Sequence, residues 1–240
     1  MIEQVFTSIF DKWYTAFISM LIFFNLLYWL GTLISVRIFS YLEKENKIKK
    51  VGNHALYEGQ KKREIWQSMR SIFIFSLQGI FIQQGLHLNW FEISFTVNAW
   101  LILQVLILFL WNEIHFYLVH IFLHTRFMMK NVHWVHHVSK EPTVFSTFSF
   151  HWIEAFLLGT VIIFPLFIFP FQALAILSLP IMSWLINLLG HCNYDFFSEH
   201  HPERLLKFSY RHSMHHKTAK GNFGFLLPWL DRLFKTVSKQ

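Results

Sequence analysis

At 240 residues, 54% of them hydrophobic and 19% aromatic, the chain carries more apolar surface than a soluble domain of this size can bury, and it reads as a membrane protein. Its single cysteine, Cys192, excludes an internal disulfide. The net charge of +7 is explained by Lys and Arg in cytoplasmic loops beside anionic membrane lipids, so no nucleic-acid partner is expected.

A bilayer core about 30 Å thick takes roughly 20 apolar residues as helix. In chain order, spans are predicted at 13–39, 72–86, 97–119, 153–169 and 171–190. Acidic Glu3 and Asp11 precede the first run, which argues against a cleavable signal peptide. The second run is interrupted by Gln78, Gln83 and Gln84. The last two are broken by Pro165, Pro170 and Pro180, and form either two tilted spans or one re-entrant pair. The expected fold class is all-α: a polytopic membrane protein with about four to five transmembrane helices and a cytoplasmic, histidine-rich helical cap. Residues 1–95 would form an N-terminal membrane region of about two spans and a basic loop, and 96–240 the histidine-bearing domain.

Eight basic residues fall in 42–70, three in 119–152 and eight in 191–240, which is 19 of the 21 in the chain. Alternating spans put these three segments on one side, and the positive-inside rule makes that side cytoplasmic. The same assignment brings together two H-x-x-H-H boxes, His133, His136 and His137 in "HWVHH" and His212, His215 and His216 in "HSMHH". On a helix the first and third histidines of such a box lie about 40° apart and the middle one about 60° to the other side. All three rings therefore share one arc, able to serve one metal or two neighbouring ones.

His120 and His124, spaced i, i+4 at the inner end of the third span, repeat the spacing of helical metal sites. His191 emerges from the last span at the same face. The remaining histidines read as bystanders at His54, His87, His115, His200 and His201, with His151 open between ligand and outer partner. Nine candidate ligands exceed what one ion accepts, so two metals with open positions are expected. All-imidazole ligation suits Fe, Cu, Zn or Ni. Nine also divides unevenly. Asn187, one helical turn before His191, is a possible tenth ligand, as are His151 and His201; alternatively Asn187 bonds a neighbouring helix.

Beyond the histidines, "EIHFYLVHIFLH", "VHWVHHVSKEPT", "GHCNYDFF" and "GNFGFLLPWLDRLFKT" resemble the successive signature stretches of the fatty acid hydroxylase / sterol desaturase superfamily. The resemblance covers roughly 100–236. It departs from the family pattern at Glu113, Ile121, Trp152 and Leu230, and no boxed histidine is lost. It implies an integral-membrane, O2-dependent oxidoreductase with two iron ions, acting on a lipid, fatty acyl or sterol-like substrate by hydroxylation or desaturation; zinc, which generally binds such sites more tightly than ferrous iron, is expected to be able to substitute. Glu113, about 20° from His120 on the same helix face, is the leading carboxylate to orient a ligand ring, ahead of Asp195, Glu154 and Asp231. The chain has no G-x-G-x-x-G unit and no C-x-x-C-H site. Electrons are therefore expected from a partner, by resemblance a cytochrome b5, ferredoxin or similar carrier with its reductase. The alternatives are a histidine-rich metal transporter, which would place polar residues at mid-membrane on several spans, and a non-catalytic metal-binding protein.

Overall fold

Ile18, Ile22, Leu26 and Leu30 recur every four residues and are each about half exposed. In water such a stripe would be an aggregation surface; facing lipid it is the expected exterior. It runs along α2 (Trp13–Lys44), whose opposite face buries Tyr28, Thr32, Ser35 and Phe39. In this computed structural model, which describes residues 1–52, 55–201 and 204–238, α2 is one of three helices long and apolar enough to cross a membrane. The others are α4 (Trp100–Leu123) and α8 (Ala173–Gly190). His54 and Lys239 lie outside the described residues. A short helix, α1 (Ile2–Phe10), precedes α2 and packs Phe6 and Phe10 onto the core.

Two helices complete the bundle, and both differ from the predicted spans. The helix α3 (Gln60–His87) begins twelve residues before the apolar run. Its first turns bury Gln60, Glu64, Ser68 and Ser71, which are polar and so invisible to a search for apolar residues. They are held by hydrogen bonds: Ser139 Oγ and Thr143 Oγ1 donate to Glu64 at 2.7 and 2.5 Å. The helix α7 (Trp152–Leu166) has 15 residues and stops one residue after Pro165. By contrast α8 continues through Pro180. The turn between α7 and α8 is tied to the α3–α4 loop: Ser94 N–H donates to the Phe171 carbonyl at 3.0 Å and Ala173 N–H to the Ser94 carbonyl at 2.8 Å.

The opposite end carries the charge. Strand β1 (Lys49–Lys50) pairs antiparallel with β2 (Tyr194–Asp195). Lys217 Nζ donates to the Val51 carbonyl at 3.1 Å, and the Arg63 guanidinium to the Val135 carbonyl. The three basic segments thus meet at one end of the bundle. That end is capped by α5 (Arg126–Met128), a π-helical turn (Met129–His133), α6 (Trp134–His137), α9 (Phe208–Thr218) and α10 (Trp229–Leu233).

Candidate metal centre

All nine predicted ligands converge in this cap, in two groups. His120 and His124 at the end of α4, His133 and His137 flanking and within α6, and His215 on α9 form the first. His136, His191, His212 and His216 form the second. Within each group, one ring nitrogen from each histidine lies within 4.8 Å of those of the others. Each H-x-x-H-H box is split. Its i, i+4 pair serves one group and its middle histidine the other, and the two boxes do this in opposite senses.

Six of the nine histidines have an outward nitrogen fixed by a hydrogen bond, while the Nδ1 atoms of His137 and His212 are buried without a partner. Nδ1–H donates to the backbone carbonyl of Phe223 from His120 (2.8 Å), of Ser149 from His136 (3.1 Å) and of Asn187 from His191 (2.7 Å). His215 and His216 do the same to Gly221 (2.6 Å) and Ser139 (3.1 Å). His133 Nδ1–H donates to Glu154 Oε1 at 2.9 Å. With the proton on Nδ1, Nε2 keeps a bare lone pair facing inward. His136 Nε2 and His191 Nε2 then face each other at 3.1 Å. Neither has a proton to share, and two lone pairs repel at that distance. A cation between them removes the conflict. Similar separations, 3.0 and 3.2 Å, join His212 to His191 and His216. Nitrogens about 2.0–2.1 Å from a common ion are spaced in this way. The donor set therefore fits a metal in each group.

Burial, reinforced by neighbouring imidazoles, holds His133, His136, His137, His212 and His216 well below the usual histidine range. Burial lowers His191 and His215 to about 4. All are neutral at physiological pH, the form that ligates metal.

The tail from Gly221 to Thr236 supplies two of the carbonyls, and Asp231 folds it. Asp231 Oδ1 and Oδ2 accept the backbone N–H groups of Phe223 and Gly224 at 2.8 Å each, and Thr236 Oγ1 donates to Oδ1 at 2.7 Å. Phe225 of this tail lies beneath the second group, its ring centroid 4.6 Å from that of His212. It fits only because residue 190 is glycine, where a Cβ would come within 2.5 Å of the ring.

Other predicted residues fall outside the two groups. Glu113 contacts no histidine nitrogen; its Oε2 accepts Leu227 N–H at 2.7 Å and so steadies the same tail. Asp195 is paired with Lys207. His115 is bonded to Thr160 Oγ1 at 2.9 Å. His151 caps α7, accepting Ile153 N–H at 3.2 Å. Asn187 is 6% exposed; its Nδ2 donates to the Ser183 carbonyl at 2.8 Å, and its Oδ1 is buried without a partner. The sequence reading missed Glu64, which anchors Ser139, whose carbonyl holds His216. Apart from Gln60 on its own helix, its partners Ser139 and Thr143 lie 75 and 79 residues away, and no local spacing announces them.

Behind the histidines, an apolar cavity lies among α2, α3, α4, α7 and α8. Phe116, Phe150, Leu158 and Asn187 line both it and a smaller pocket walled by histidines of both groups.

Comparison with known proteins agrees with this geometry. A Dictyostelium discoideum protein provisionally assigned as a methylsterol monooxygenase is 31% identical over 148 residues, 58% of this chain and 52% of its own length. The lathosterol oxidase of Rattus norvegicus is 27% identical over 173 residues, 70% of this chain and 55% of its own. A very-long-chain aldehyde decarbonylase of Oryza sativa is 26% identical over 137 residues, 53% of this chain and 22% of its own. The chain thus spans about half the length of the first two relatives. No solved structure matches it. Residues 105–236, which hold all nine clustered histidines and more than half of the chain, match the fatty acid hydroxylase family model, and the chain belongs to that family.

Proposed function

We propose that this chain is a membrane oxidoreductase that uses O2 and external electrons, at a pair of iron ions, to hydroxylate or desaturate a lipid, fatty acyl or sterol-like substrate. The observation that carries the reading is the pair of facing, tautomer-fixed nitrogens on His136 and His191, within one of two buried histidine groups beside an apolar cavity. His120, His124, His133, His137 and His215 would hold one ion, and His136, His191, His212 and His216 the other. Zinc fits the same donors and generally binds more tightly than ferrous iron, so it can replace iron on overexpression. When bound, iron supplies the activation of O2 that no side chain can provide. The chain's own residues keep the imidazoles neutral, orient them through backbone carbonyls and Glu154, and exclude water. Glu113 acts as a positioning residue, through the tail that bears Phe223. The relatives' names, a sterol oxidase, a methylsterol monooxygenase and an aldehyde decarbonylase, support a lipid substrate.

The positive-inside rule assigns the histidine end to the cytoplasm, where a carrier such as cytochrome b5 or a ferredoxin, with its reductase, would deliver electrons. Anaerobic reconstitution with iron should yield two ions per chain by elemental analysis. Lipid mass spectrometry of cells with and without the protein should show an oxidised or desaturated product. One ion or none, or an unchanged lipid profile, overturns the reading.

Asn187 is the tenth candidate ligand. With Nδ2 held by the Ser183 carbonyl, its partnerless Oδ1 is free to bind the second ion directly or through water. Asn187→Leu is expected to keep the fold, lose about ten-fold or more in turnover and lose part of the metal, while Asn187→His retains metal. A leucine variant with full metal content and wild-type turnover removes Asn187 from the site.

A further inference from the structure

Two ladders lead from the histidines into the membrane. On α4, Asn112, Phe116 and His120 recur every four residues and share a face; on α8, Ser183, Asn187 and His191 do the same. At 1.5 Å rise per residue, Asn112 and Ser183 each lie about 12 Å along the helix from the histidine of their own ladder. Both line the apolar cavity.

The polar groups of this cavity differ in how they are used. Gln78 Nε2 donates to the Phe156 carbonyl at 2.8 Å, and His115 is engaged by Thr160. Asn112 is only 4% exposed, yet its carboxamide has no hydrogen-bond partner among the described residues. A buried, unpaired amide inside a membrane bundle is costly, and it is retained where something else completes it. The lining contains no Lys, Arg, Asp or Glu, so a charged headgroup would find no counter-ion there. A carboxamide both donates and accepts, and a neutral hydroxyl is the lipid group that can answer both at once.

We propose that Asn112, with Ser183 at equal depth on α8, holds a neutral hydroxyl of the lipid substrate. The carbon to be oxidised then lies about 12 Å away, beside the histidines. This rests on the reading of the cluster as a lipid-oxidising centre. Asn112 is thereby a specificity-determining residue: it selects lipids in which an apolar body of that length separates the hydroxyl from the reacting carbon.

The test uses the purified full chain, immobilised in detergent, and two matched pairs of radiolabelled probes: cholestanol with cholestane, and octadecanol with octadecane. The hydroxylated member of at least one pair should be retained about ten-fold more than its hydrocarbon. Asn112→Leu, close in volume and apolar like its surroundings, should erase that preference while hydrocarbon retention persists. Ser183→Ala should weaken it several-fold. Equal retention of alcohol and hydrocarbon in both pairs by the wild-type chain overturns the proposal without reference to any variant. So does an intact preference in Asn112→Leu. Retention needs no turnover, which separates the two readings. A hydroxyl preference with no oxidised lipid in cells counts against the oxidation reading alone. A cellular substrate without a hydroxyl counts against this proposal alone.

Discussion

Alanine at His212 is expected to lower the metal content from two ions per chain to one and turnover by more than about 100-fold, beyond the range typical of an outer partner. His212 is the hub of the smaller group: its Nε2 lies 3.0 Å from that of His191 and 3.2 Å from that of His216. Its removal leaves His136, His191 and His216, with a gap in the middle of the set. His215→Ala is the informative contrast. The larger group then still has His120, His124, His133 and His137, enough for a four-coordinate ion, so more metal should be retained. Elemental analysis of both variants after anaerobic iron loading checks this. A His212→Ala chain that still holds two ions would sink the assignment of groups.

Loss of Glu154 is expected to cost 10- to 100-fold in metal affinity or turnover, although it belongs to neither group. The residue is 1% exposed and sits in the first turn of α7. Its Oε1 accepts the Nδ1–H of His133 at 2.9 Å and so turns Nε2 toward the first ion site. Alanine leaves that N–H buried without an acceptor and the ring free to rotate. Glutamine keeps an acceptor oxygen and should restore most of the loss. Metal competition titrations of the two variants decide it; an alanine variant with wild-type affinity and turnover shows that the contact is not needed.

Glu154 also shows where sequence reading reached its limit. Spacing along one helix pointed to Glu113 as the carboxylate to orient a ring, because it shares a face with His120. A shared face fixes direction only within a helix, and the real partner of Glu113 is the Leu227 N–H, 114 residues away. The nine histidines were legible because i, i+3 and i, i+4 spacings have geometric meaning before tertiary structure exists. Their division into two groups was not, since the 60° offset of His136 and His215 acquires a target only when the boxes dock. The carbonyls of Ser139, Ser149, Gly221 and Phe223 carry no signal, as every residue has one. In the fold, the apolar runs marked α2, α4 and α8. The inner part of α3 escaped because its buried face is built from Gln60, Glu64, Ser68 and Ser71.

On the proposed two-ion reading, the crossed division of the boxes bears on how the protein is loaded with metal. Both boxes contribute to both sites, so neither site can be completed while either box is displaced. The first ion must therefore bring together most of what the second requires, and the second meets a cap whose ordering has already been accomplished. Binding free energy spent once on docking is shared, which is positive cooperativity without any change in the bundle. Native mass spectrometry during a metal titration should find empty and doubly loaded chains in excess over singly loaded ones. Mismetallation would follow the same rule: an ion that seats wrongly in one site carries the other with it.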